Sequence, residues 1–181
     1  MSRVLVPIAN GSEELEAVTL IDLLRRAGIQ VTVASLDGEP VTASRGVRLI
    51  PDVSLDAALE HEYDLVVLPG GMPGADHLRD DARVVDLLRR MNESGRFVGA
   101  ICAAPKVLHA AGVLEGRRAT AFPGVLEAAG HDAITGEPVT RDAHVLTSRG
   151  PGTAMDFALE LIETLEGRAK RDEVESKLQR P

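Results

Sequence analysis

Aromatic residues make up 2% of the 181-residue chain, with no tryptophan, one tyrosine and three phenylalanines. The interior must therefore be built from Val, Leu, Ile and Ala, which supply most of an ordinary apolar fraction of 44%. There is a single cysteine, so no internal disulfide can staple the fold, and a reducing cytoplasm is the expected setting. Long apolar runs are absent as well. The N-terminal "MSRVLVPIANGSEE" is too short in apolar residues for a signal peptide, and no window approaches a membrane span. The formal charge of −8 excludes an extended basic surface of the kind nucleic acid or anionic lipid requires. His61, His77, His109, His131 and His144 show no metal-ligand spacing and read as surface or packing residues. Neither a metal nor a cofactor is expected.

What is present is an alternation of two periodicities. "RVLVPIA" (3–9) and "QVTVASL" (30–36) are short β-branched runs, and between them "GSEELEAVTLIDLLRRAG" (11–28) repeats its apolar residues at helical spacing before a glycine stop. Asn10 with Glu13 three residues later has the form of a capping pair, and acids load the first turn. Strand, helix and strand in about thirty-five residues make a βαβ unit, which implies a parallel sheet. The pattern recurs with strands in "YDLVVLPGG" (63–71), "RFVGAI" (96–101) and "HVLTSRGPG" (144–152). Helices are expected in "DDARVVDLLRRMNESG" (80–95), "CAAPKVLHAAG" (102–112) and "TAMDFALELIETLEG" (153–167). Residues 39–51 and 133–148 read as antiparallel additions. The fold expected is a three-layer α/β/α sandwich with a mostly parallel sheet. It forms one domain over 1–167, followed by a charged extension over 168–181 that is either a solvated helix or a frayed tail.

In such a sheet, sites form where loops converge at the C-terminal ends of the strands. Three of these ends stand out. Cys102 lies directly between a strand and a helix, in Gly99-Ala-Ile-Cys102-Ala-Ala-Pro105, the setting of a nucleophile elbow. Amides at a helix start would lower its thiol pKa. A buried structural cysteine fits the same spacing. Glu16 falls on the apolar stripe of the first helix, where desolvation would keep it protonated and able to hydrogen-bond a thiolate; a plain N-terminal acid serving the helix dipole also fits. Gly70–Gly71 can turn a backbone N–H toward a site or form a simple tight turn. "SRGPGT" (148–153) lacks the lysine of a phosphate loop and reads as a neighbouring loop, with Arg149 as a candidate anion contact.

Taken in order, "NGSEELEAVTLIDLLRRAGIQVTVAS", "ASRGVRLIPDVSLDAA", "YDLVVLPGGMPGADHL", "AICAAP" and "LTSRGPGTAMDFALELIETL" resemble the DJ-1/PfpI superfamily, in its DJ-1 branch, to about Gly167. The resemblance implies a flavodoxin-like sandwich with a cysteine elbow, normally a homodimer. It also implies that Cys102 is the reactive, oxidisable cysteine and Glu16 the protonated glutamate beside it. Gly71 and Ala103 would be the backbone donors for an oxyanion or a cysteine sulfinate. Gly70, Phe122, Arg45, Arg149 and Pro151 would lie around the pocket. The activity implied is cofactor-independent glyoxalase or deglycase chemistry on a small 2-oxoaldehyde such as methylglyoxal. The alternative is an oxidative-stress sensor or redox-regulated chaperone. Two departures stand out: Ala103 occupies the position of the His in PfpI-type peptidases, and Phe122 the position of a His before Pro in the animal DJ-1 pattern.

Overall fold

The computed structural model describes residues 1–180. Strand β1 (Arg3–Ile8), helix α1 (Glu14–Arg26) and strand β2 (Gln30–Ser35) form the expected opening unit, with β1 and β2 paired in parallel from Arg3–Gln30 to Ile8–Ser35. A short hairpin follows, β3 (Val41–Thr42) against β4 (Arg48–Leu49), antiparallel and separate from the main sheet. Next come β5 (Val53–Ser54), α2 (Leu55–Ala58), β6 (Leu65–Leu68), α3 (Gly74–Asp80), α4 (Ala82–Glu93), β7 (Phe97–Ile101), α5 (Pro105–Ala110) and α6 (Val125–Ala128). The chain continues through β8 (Val139–Asp142), β9 (Val145–Ser148), a 3₁₀ turn at Pro151–Thr153, α7 (Ala154–Glu166) and α8 (Arg168–Ser176).

The seven-stranded sheet runs β5-β2-β1-β6-β7-β9-β8, parallel throughout except for the β8–β9 pair at one edge. Its central order is that of a flavodoxin-like sheet, with the direction of winding reversing between β1 and β6. Both faces are covered, so the strands are almost wholly apolar, and alternate residues serve opposite layers. Leu5, Val66, Val98 and Ala100 face a core completed by α2 through α6. Val4, Val6, Ile8, Leu65, Val67 and Ile101 face a second core completed by α1, α7 and α8. Phe157 on α7 is the largest of the fully buried side chains and fills the second core almost alone among aromatics.

One expectation changes, and one of two alternatives is chosen. The cap of α1 is Glu13, whose carboxylate accepts from Leu15 N at 3.2 Å. Asn10 turns away, its Oδ1 accepting from Thr42 N at 2.8 Å, so it ties the hairpin to the end of β1. The charged C-terminal stretch is helical: α8 packs along α7 with Val174 buried. Arg171 reaches Glu163 at 2.6 Å and Arg180 reaches Asp156 at 2.7 Å. Pro181, the last residue of that stretch, lies outside the described residues. Among the described residues no helix is long and apolar enough to cross a membrane.

Candidate active site

The ends of β1, β6 and β7 are neighbours in the sheet, and the three sequence features meet there. Cys102 follows β7 with φ +62°, a conformation that costs a non-glycine residue on the order of 1 to 3 kcal/mol. Main-chain bonds on both sides hold it. Its N–H donates to Ser148 O at 2.9 Å, and its C=O accepts from Phe122 N at 2.9 Å. The strain lifts the side chain off the sheet into a cavity of about 840 Å³, where the sulfur is half-buried. The backbone N–H groups of Gly71 and Ala103 are near enough to the sulfur to favour its charged form.

Glu16 is fully buried beneath the cysteine, on the stripe of α1 that also carries Leu20, Leu23 and Leu24. Its Oε2 accepts from Gly70 N at 2.7 Å, and its carboxyl interacts with the Cys102 thiol. The second oxygen, Oε1, is buried with no close hydrogen-bond partner, which leaves it free to take or give a proton. Gly70 makes this meeting possible. A Cβ at residue 70 would lie 2.7 Å from Cys102 Cβ and 2.8 Å from Glu16 Oε2, closer than any side chain tolerates. Gly71, at φ +90°, reverses the chain so that its own N–H faces the sulfur.

The electrostatics of the pair depart from the sequence expectation. Burial raises the Glu16 carboxyl to about 7, against the Gly70 and Cys102 hydrogen bonds that lower it. The thiol was expected to be lowered; instead it is pushed up to about 12, first by burial and then by the Glu16 charge and hydrogen bond. The two amide donors act in the opposite direction but do not outweigh these. Helix α5 has only six residues, so little dipole is available to offset burial. Only the part of this rise that comes from Glu16 depends on its charge; the larger part comes from burial. Once a proton sits on Glu16, the repulsion is gone and its hydrogen bond turns to donation toward sulfur. A carboxyl near 7 is partly protonated at neutral pH, so the pair can be met with Glu16 in either state.

Around this pair, Glu13, Ser44 and Arg45 form a polar wall; Phe122, Val125, Ala128, Ala129, Ala110 and Pro151 form an apolar one. Lys106 and Arg79 also reach the cavity, but Asp76 holds both, at 2.6 Å and 3.0 Å. Gly70 lies below the cavity floor rather than lining it. Arg149 turns away, its Nη1 donating to Gly136 O at 3.3 Å, and borders an adjoining groove with Phe122 and Pro151. Sequence reasoning missed Ser44, Lys106 and the α6 face. Helix α6 is a four-residue turn with too few positions to show a period. His109 lines the cavity and packs edge-on against His131 at 5.7 Å, and no metal-binding cluster occurs among the described residues.

Known proteins share this fold. The chain is 45% identical over 170 residues to protein DJ-1 homolog B of Arabidopsis thaliana, covering 93% of this chain and 39% of that one. The crystal structure of Drosophila melanogaster DJ-1beta superposes with a TM-score of 0.95 at 43% identity, covering 98% of both chains. A Caenorhabditis elegans protein named glutathione-independent glyoxalase DJR-1.2 is 39% identical over 162 residues, 88% of this chain and 86% of its own. The family model described as DJ-1/PfpI matches residues 2–164, and with these relatives the chain belongs to the DJ-1/PfpI family.

Proposed function

We propose that the protein is a cofactor-independent glyoxalase of the deglycase type acting on 2-oxoaldehydes, with Cys102 as nucleophile and Glu16 as proton carrier. The observation that carries this reading is the buried Glu16 carboxyl, raised to about 7 and paired with the chain's one cysteine on a strained elbow. As sulfur attacks the aldehyde carbon, the S–H proton passes to Glu16 and a C–S bond forms. The resulting alkoxide is held by the Gly71 and Ala103 amides and takes the proton from Glu16, giving a hemithioacetal. Glu16, again a carboxylate, removes the proton from the former aldehyde carbon and returns it to the neighbouring carbon. The hydroxyl proton of the first carbon moves to the second oxygen. One carbon is oxidised and its neighbour reduced, so no external oxidant is needed. Water then cleaves the thioester to a 2-hydroxy acid and regenerates the thiol.

Lactate formation from methylglyoxal by the purified protein tests this. Cys102→Ser should abolish it, and Glu16→Gln should slow it about a thousandfold, within the range of a lost general acid–base. Turnover that survives Cys102→Ser overturns the proposal.

A second reading rests on the same two amides. Donors placed for an alkoxide also suit the oxygens of a cysteine sulfinate, which makes Cys102 an oxidative-stress sensor or the switch of a redox-regulated chaperone. A free thiol in that role belongs in a reducing compartment, the cytoplasm. We further propose a homodimer. Leu15 and Val18 on α1, Val47 in the β3–β4 hairpin and Ile50 just after it are exposed apolar residues, and the two elements meet where Val47 N reaches Glu14 Oε1 at 3.4 Å.

A further inference from the structure

The cavity over Cys102 is far larger than a three-carbon aldehyde requires. About 840 Å³ lies in the range that takes drug-sized ligands, and most of its lining is apolar. Phe122 begins the apolar part. Its N–H donates to Cys102 O at 2.9 Å, so the residue sits a single main-chain bond from the nucleophile. Its ring packs on Gly150, where a Cβ would lie 3.5 Å from Cδ2, and yet remains 50% exposed toward open space. Val125, Ala128 and Ala129 on α6 continue the surface, and Ala110 joins it from α5. The cations that reach the cavity from α3 and α5 are paired, Lys106 with Asp76 and Arg79 with Asp76 and Asp80, while Arg45 enters from the β3–β4 hairpin and not from the elements that carry Phe122 and α6. A half-exposed phenylalanine fixed beside a reactive sulfur costs hydration that a bound apolar group would recover.

We propose that Phe122 and the α6 face bind the side group of the substrate, and that the preferred 2-oxoaldehyde carries an aryl or branched alkyl group rather than a methyl. This rests on the glyoxalase reading above, which it deepens by naming the substrate class. The small aldehyde end reaches sulfur and the two amides, while the side group lies against the ring. Phe122 is then a specificity residue and takes no part in proton transfer.

Two measurements test it. In the first, kcat/KM is compared for phenylglyoxal and methylglyoxal. The wild type should favour phenylglyoxal at least tenfold, chiefly through KM, and Phe122→Ser should reduce that preference below threefold. The second does not need turnover. Because Cys102 is the only cysteine, its alkylation by N-benzyl iodoacetamide and by iodoacetamide can be followed by intact mass; in each, sulfur displaces iodide. The ratio of the two rates should exceed the same ratio for glutathione about tenfold, and should fall to the glutathione value in Phe122→Ser and in Val125→Asp. A wild-type ratio equal to that of glutathione, or one that neither variant changes, overturns the proposal. If neither aldehyde is turned over but the alkylation preference holds, the glyoxalase reading fails and the apolar subsite stands.

Discussion

Glu14 and Glu16 lie two residues apart on α1 and are both buried, yet their surroundings drive them in opposite directions. Glu14 faces the β3–β4 hairpin. Burial raises its pKa, but Ser44 Oγ at 3.0 Å, Arg45 N at 2.8 Å and Val47 N at 3.4 Å all donate to its carboxylate, and the net shift is downward. Glu16 faces the cavity floor with one backbone donor, and burial wins. The same helix therefore supplies a fixed anion that holds the hairpin and, half a turn further on, a carboxyl whose proton can move. Burial sets the cost of the charge in both places; the number of donors decides whether that cost is met.

The widest separation between the two should appear with pH. The folded pKa of Glu16 is raised from 4.5 to about 7, so its contribution to stability is complete below pH 4.5 and is lost as pH rises toward 7. Urea titrations at pH 5 and pH 8 should show the wild type losing about 2.5 kcal/mol relative to Glu16→Gln across that interval. Glu14 has the reverse sign, with a contribution present above its unfolded pKa and lost as pH falls below it. Next in size, Glu14→Gln should cost about 1 kcal/mol at pH 7 by urea denaturation, because a charged acceptor for several part-buried donors becomes a neutral one. A third carboxylate on α1, Asp22, pairs with Arg26 at 2.9 Å with both side chains about half exposed. Asp22→Ala should move the urea midpoint by no more than the equivalent of about 0.5 kcal/mol, and a larger effect would mean that partners count for more than burial on this helix.

The part of this site that lies along the chain was legible before any coordinates. Strand ends, the elbow at Cys102, the glycine turn and the buried stripe holding Glu16 all follow from periodicity and from residue types at junctions, with the family resemblance joining them. The rest depends on contacts between distant segments, which carry no local signal. Nothing near Asn10 shows that it will bond Thr42, leaving Glu13 to cap α1. The sign of the Cys102 shift was misjudged because sequence shows a helix start but not the burial that outweighs it. Arg149 was placed near the site by adjacency in the chain, and its bond to Gly136 O takes it elsewhere. The bond from Phe122 to Cys102 spans twenty residues of loop and helix and becomes visible only in three dimensions.

The complete burial of Glu16 bears on the fate of one atom. The residue has no surface open to water even before a substrate is bound. On the proposed chemistry, the hydrogen taken from one carbon has no solvent pool to mix with before it returns to the next. The hydroxy acid then carries forward the hydrogen its precursor brought, and the product keeps an isotopic memory of the aldehyde from which it came.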